Sequence, residues 1–137
     1  MQKILTFYQK TSPYTDLGLY KDFALQLPND IKQLATLQRK QIIHPIIIWN
    51  HLQEGWWDDL TKVPKTSIAF GDDLFPTALS MLAELLRRDP HYSVDRKVED
   101  KIHVTCRGEA ILLASILKSK EIPTRVRSGF AEYLRHD

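Results

Sequence analysis

A nearly uninterrupted run of hydrophobic positions lies in the C-terminal third of the chain. From Ala110 to Leu117 every residue except Ser115 is apolar, so this stretch has no clean polar face. A helix that is apolar on all sides is typical of a protein interior. The Ile122–Pro123 step ends the helical pattern, because proline disfavours the α conformation in the residue before it. We therefore predict a central buried helix with Cys106 at its N-terminus.

Two amphipathic helices are predicted earlier in the chain. Asn29 or Asp30 is a suitable cap for a helix whose apolar positions extend over residues 31–43. Pro76 suits the first position of another helix, which ends before Asp89. The apolar face of that helix is formed by Leu79, Leu82, Leu85 and Leu86. We expect a helix-rich N-terminal part packed around the central helix.

The segments on either side of the central helix complete the predicted fold. The charged stretch 95–101 leads into residues 102–105, which we interpret as the loop that enters the helix. Residues 124–130 follow the helix and contain β-branched residues in rough alternation, which predicts a strand. We expect an α+β fold in one domain over residues 1–137, with this strand as the start of an antiparallel sheet.

Composition narrows the class of protein. The 137 residues include 19 basic and 17 acidic side chains, so no strong net field favours nucleic acid or an anionic membrane. No apolar stretch has the length of a membrane span. The single cysteine excludes an internal disulfide framework and is typical of a reducing compartment. We expect a cytoplasmic protein that binds neither nucleic acid nor membrane.

Cys106 is the strongest candidate for chemistry. The free amides and the dipole at a helix start favour negative charge, and they favour the thiolate that attacks electrophilic carbon. The same amides can bind an oxyanion, and the neighbouring Arg107 adds positive potential. The alternative is structural, because a lone cysteine is most often a small buried hydrophobe.

Other candidate side chains give weaker signals. His103 lies three residues before Cys106. It is either at the mouth of a pocket, or it has a surface or capping role. Trp57 is either the wall of a substrate groove or part of the core. His44 and His51 have no third ligand at metal-binding spacing, so we expect no metal and no cofactor. The pair Asp72–Asp73 is interpreted as helix-end or turn acids.

A set of separated positions around Cys106 resembles the core of the transglutaminase-like superfamily. These positions are Cys106-Arg107-Gly108, the apolar helix, Ile122-Pro123-Thr124-Arg125-Val126 and Gly129-Phe130. The matching region covers residues 104–130. Glu121 departs from the pattern, since the family has glycine there, and the helix must either avoid a left-handed residue at this point or accept strain.

The resemblance implies a thiol enzyme that acts on the amide bonds of a peptide or protein, as an acyltransferase or as a hydrolase of the protease or amidase type, through a thioester on Cys106. It also implies a histidine base and then an aspartate or asparagine on later strands, for which His136 is the candidate here. We expect the chain to be the N-terminal portion of a longer catalytic domain. We also expect self-association through the Arg125–Phe130 strand. The alternative is an inactive binding or assembly module on the same fold.

Overall fold

The computed structural model describes residues 2–45 and 71–129. His51, Trp57, Phe130 and His136 lie outside the described residues. Short 3-10 turns cover Gly18–Tyr20 and Val98–Asp100. The helices and strands, in chain order, are α1 (Gln2–Gln9), α2 (Lys21–Gln26), α3 (Ile31–Arg39), β1 (Ile42–Ile43), α4 (Gly71–Leu74), α5 (Ala78–Arg88), β2 (Ile102–His103) and α6 (Cys106–Ser119). The described part is therefore helix-rich with a small sheet, which agrees with the expected α+β class.

Helix α6 is the element around which the others pack. It contacts α2, α3 and α5, and its buried side chains belong to the same hydrophobic cluster as Leu34, Met81 and Leu82. Its interior positions are Gly108, Ile111, Leu112, Ala114, Ser115, Ile116, Leu117 and Ser119. The prediction of a buried helix that begins at Cys106 is confirmed.

Two more sequence signals are confirmed, with shifted boundaries. The Asp30 side chain accepts a hydrogen bond from the Gln33 N–H and caps α3. Helix α5 begins after Thr77, which forms a capping box with Ser80, so Pro76 lies outside the helix. Leu79 is not part of the buried face, since 39% of it is exposed.

The sheet differs from the prediction. Strands β1 and β2 are parallel, with Ile42 opposite Ile102 and Ile43 opposite His103, so the expected antiparallel sheet is wrong for the described residues. Residues 42–43 were expected to continue a helix, but α3 ends at Arg39. The Ile102 N–H instead donates to the Gln41 carbonyl oxygen at 3.2 Å, which joins the two strands where α3 stops.

The strand predicted after α6 does not form over residues 124–129, which have no regular secondary structure. The Thr124 N–H donates to the carbonyl oxygen of Tyr8, at the end of α1. The Lys118 ammonium also donates to the Tyr8 carbonyl oxygen, and Gln9 donates to the carbonyl oxygen of Glu121. Helix α1, which the sequence pattern did not predict, therefore binds the segment that follows α6.

A buried arginine fixes the loop between α5 and β2. Arg96 is only 3% exposed, and its Nε donates to Gln41 Oε1 at 2.5 Å. Burial lowers the pKa of its guanidinium, although arginine stays protonated at neutral pH. Its other donors are satisfied by the carbonyl oxygens of Leu85, Asp89, His91 and Asp100. Within the charged stretch before β2, the Arg96 side chain is thus buried among backbone carbonyl oxygens, whereas Asp95, Lys97 and Glu99 are exposed.

None of the helices in the described ranges has the length and apolar character needed to cross a membrane.

The residue Glu121, just after the C-terminus of α6, has a strained backbone conformation. Glu121 has φ of +60°, and its N–H donates to the Lys118 carbonyl oxygen. The Ile122 N–H donates to the Leu117 carbonyl oxygen at 3.0 Å, which completes a Schellman motif. A left-handed residue at this position normally favours glycine, because a Cβ is unfavourable there.

Replacement of Glu121 by glycine is therefore expected to stabilise the protein. We expect Glu121→Gly to raise the free energy of unfolding by about 0.5–1 kcal/mol. Relief of the left-handed strain outweighs the larger conformational entropy that glycine loses on folding. Thermal denaturation followed by circular dichroism should show a Tm higher by roughly 3 °C. Glu121→Ala is the matched control, since it removes the side chain but keeps the Cβ. An equal rise in both variants would contradict the role of the left-handed conformation.

Candidate functional site

Cys106 is the first residue of α6, and its thiol is free and exposed. The preceding residue, Thr105, is the N-cap: its hydroxyl oxygen accepts a hydrogen bond from the Arg107 N–H at 3.3 Å. Within the described ranges the Cys106 side chain has no hydrogen-bond partner. The structural alternative of a buried cysteine does not apply, because the thiol faces solvent at the end of a buried helix.

Asp72 holds the start of this helix from another part of the chain. Its Oδ1 accepts from the Thr105 N–H at 2.9 Å, and its Oδ2 accepts from the Thr105 hydroxyl at 2.5 Å. Asp72 lies in the first turn of α4, so its interpretation as a helix-end acid is correct. Sequence reasoning missed its partner 33 residues away, and no local pattern connects the two.

Two glycines allow this close approach. A Cβ on Gly71 would lie 1.4 Å from the carbonyl oxygen of His103. A Cβ on Gly108 would lie 2.8 Å from the Cβ of Val104 and 3.2 Å from Asp72 Oδ1. Any larger residue at either position would separate α4 from the junction between β2 and α6. The backbone around Cys106 is thus fixed by contacts that depend on glycine.

The charges around the thiol have both signs. The Asp72 carboxylate lies against the helix start, where the dipole favours negative charge. Glu109 adds a second acid in the first turn. Arg107 is exposed, and its guanidinium lies over the Tyr14 ring at 5.7 Å from the ring centroid. Carboxylates of the protein therefore already offset part of the positive potential at the helix start, and the Arg107 N–H already donates a hydrogen bond to the Thr105 hydroxyl oxygen.

The structure places the other candidates apart from the thiol's exposed surface or does not describe them. His103 lies in β2 and is only 5% exposed, so its ring belongs to the interior. The candidates Trp57 and His136 lie outside the described residues. No group of three potential metal ligands occurs in residues 2–45 and 71–129. Of the candidates, Cys106 and Arg107 share one exposed end of α6.

Comparisons of the chain with protein-family models, with curated proteins and with solved structures find no match.

The anchoring role of Asp72 leads to a stability prediction. Asp72→Ala removes both acceptors of Thr105 and leaves its partly buried N–H and its hydroxyl proton without an acceptor, so we expect a loss of about 1–3 kcal/mol in the free energy of unfolding. Denaturation in urea measures this loss. The neighbouring Asp73 is exposed, and Asp73→Ala serves as the control with an expected change within about 0.5 kcal/mol. Equal effects of the two substitutions would show that Asp72 does not hold the helix start.

Proposed function

We propose that this protein is a transglutaminase-like thiol enzyme that acts on amide bonds of a peptide or protein, with Cys106 as the nucleophile. The observation that carries the proposal is the exposed thiol at the first residue of the buried helix α6. The residues of the Cys106-Arg107-Gly108 sequence support the family resemblance, and Gly108 has a defined packing role there. A thiol in this position is accessible to a substrate while its backbone is held by Asp72 and Thr105.

The proposed reaction proceeds in two steps. The Cys106 sulfur forms a bond to the amide carbonyl carbon, the carbon–nitrogen bond breaks, and the nitrogen leaves as ammonia or an amine after it gains the proton lost by the thiol. Water then hydrolyses the thioester, or a second amine takes the acyl group. Within this chain the candidate for the proton transfer is His136, because the resemblance implies a histidine after the Gly129-Phe130 step.

A second function of a different class is a binding or assembly module without catalysis. The observation that favours it is the Asp72 carboxylate at the start of α6, because this charge competes with a thiolate for the helix dipole. Self-association through the Arg125–Phe130 region is a proposal that goes with either function. In either case we propose a cytoplasmic location, since a single thiol is typical of a reducing compartment.

Ammonia release from a glutamine-containing peptide, with and without an added amine, tests the proposal. We expect Cys106→Ser to abolish the reaction, and we expect His136→Ala to lower the rate by roughly 100-fold or more because the proton acceptor is lost. His91→Ala is the matched histidine control, because His91 is exposed and its ring contacts Asp89. We expect this control to keep the wild-type rate.

Activity that persists in Cys106→Ser would contradict the assignment of the nucleophile. Absence of any activity in the wild-type chain, together with concentration-dependent light scattering, would favour the assembly module. A rate that His136→Ala leaves unchanged but Cys106→Ser abolishes would show that another group accepts the proton.

A further inference from the structure

A groove of about 600 Å³ lies between α1, the turn at residues 11–15, one side of α6 from Arg107 to Lys118, and the segment 124–128. We call it the basic–aromatic groove. Its charged side chains are Lys10, Arg107, Lys118 and Arg125, and no acidic side chain from the described part of the chain lines it. The volume is within the range of small-molecule and peptide-side-chain sites.

The two arginines of this groove contact aromatic rings, and no carboxylate among the described residues pairs with either of them. The Arg125 guanidinium lies 5.6 Å from the centroid of the Tyr8 ring, and its Nη1 donates to the Tyr8 hydroxyl at 3.0 Å. The Arg107 guanidinium lies over the Tyr14 ring at 5.7 Å from the ring centroid. A stacked guanidinium is pre-oriented but keeps its full charge, and its planar fork matches a carboxylate.

Lys118 has a different role in the groove. Its ammonium donates to the carbonyl oxygens of Tyr8 and Lys10, the latter at 2.8 Å. Burial lowers the pKa of this ammonium. These contacts join α6 to the end of α1 and occupy the Lys118 ammonium, so Lys10, Arg107 and Arg125 are the groove cations left to contact a ligand.

The neighbouring hollow has a different charge distribution. Its volume is about 460 Å³, and it is lined by Asp16 and Glu121 as well as by Lys10, Lys21 and Lys118. It shares Lys10 and Lys118 with the basic–aromatic groove, but among the described residues only the hollow has acidic side chains beside its cations. Apolar surface accompanies them, since Phe7 is 66% exposed and Tyr14 is 52% exposed. Arginine and tyrosine are also the residue types enriched in binding hot spots.

We propose that the basic–aromatic groove binds an acidic segment of a peptide or protein and so presents a nearby amide to Cys106. The inference rests on the proposed function and names its substrate class. Arg107 lines the groove and directly follows Cys106, which does not itself line it, so the bound segment extends past Arg107 to bring its amide to the thiol. Carboxylates pair with Arg107 and Arg125, and the apolar parts of the segment contact the exposed rings of Phe7 and Tyr14.

Fluorescence anisotropy with two labelled peptides tests this. One peptide carries a glutamine flanked by glutamates, and the other has each glutamate replaced by glutamine. The full chain with Cys106→Ser prevents turnover during the measurement. We expect roughly tenfold or tighter binding of the acidic peptide, and we expect the difference to shrink at high salt because screening weakens exposed charge pairs.

Substitutions locate the peptide. Arg125→Met keeps most of the side-chain volume but removes the charge, and we expect it to weaken binding of the acidic peptide roughly tenfold. Arg125→Lys keeps the charge without the planar fork, and we expect an intermediate loss. Lys21→Met, in the neighbouring hollow, is the control with unchanged affinity. Circular dichroism confirms that each variant is folded.

Equal affinity for the two peptides would overturn the proposal, as would equal effects of Arg125→Met and Lys21→Met. Displacement of the peptide by adenosine monophosphate at lower concentration than by a second acidic peptide would assign the groove to a nucleotide and also overturn it. Peptide affinity that falls as the protein concentration rises would place a second copy of this chain in the groove. Tighter binding of the acidic peptide without any reaction at its amide would support the groove and contradict the proposed enzyme. Reaction at the amide with equal affinity for the two peptides would support the enzyme and contradict the groove.

Discussion

The contact between Asp72 and Thr105 is the constraint on which the described structure most depends. It joins α4 to the point where β2 ends and α6 begins, so one carboxylate fixes the start of the central helix. The contact exists only because Gly71 and Gly108 have no Cβ to separate the backbones. Since α6 packs against α2, α3 and α5, its position determines where the core residues of those helices meet.

The two ends of α6 have different surroundings. Its middle is buried, and its first residue exposes the Cys106 thiol to solvent. Its last turn is held by α1 through Lys118 and continues into the strained residue Glu121. Arg107 and Arg125 line a groove in which no acidic side chain of the described residues occurs. For the proposed enzyme, a rigid helix with the nucleophile at one end and a charged groove along it would hold a substrate segment in a fixed register.

The sequence predicted features that depend on local patterns. The apolar run gave α6 with its correct first residue, and Asp30 marked the start of α3, because capping and hydrophobic periodicity act over a few residues. It failed where distant residues decide the conformation. The β1–β2 pairing depends on residues 60 apart, and the Thr124 N–H pairs with Tyr8 in place of a strand neighbour. Burial of the Arg96 side chain likewise requires carbonyl oxygens from separate parts of the chain. For the candidate site, the sequence indicated Cys106 and Arg107, but it contained no signal for the Asp72–Thr105 pair.

The most direct test of the nucleophile assignment is intact-mass spectrometry of the protein mixed with a glutamine peptide and quenched in acid. We expect an adduct with the mass of the peptide less ammonia, located on Cys106 by peptide mapping, released by hydroxylamine and absent from Cys106→Ser. A protein that turns the substrate over and never carries an adduct on Cys106, or that carries the adduct on another residue, would contradict the assignment.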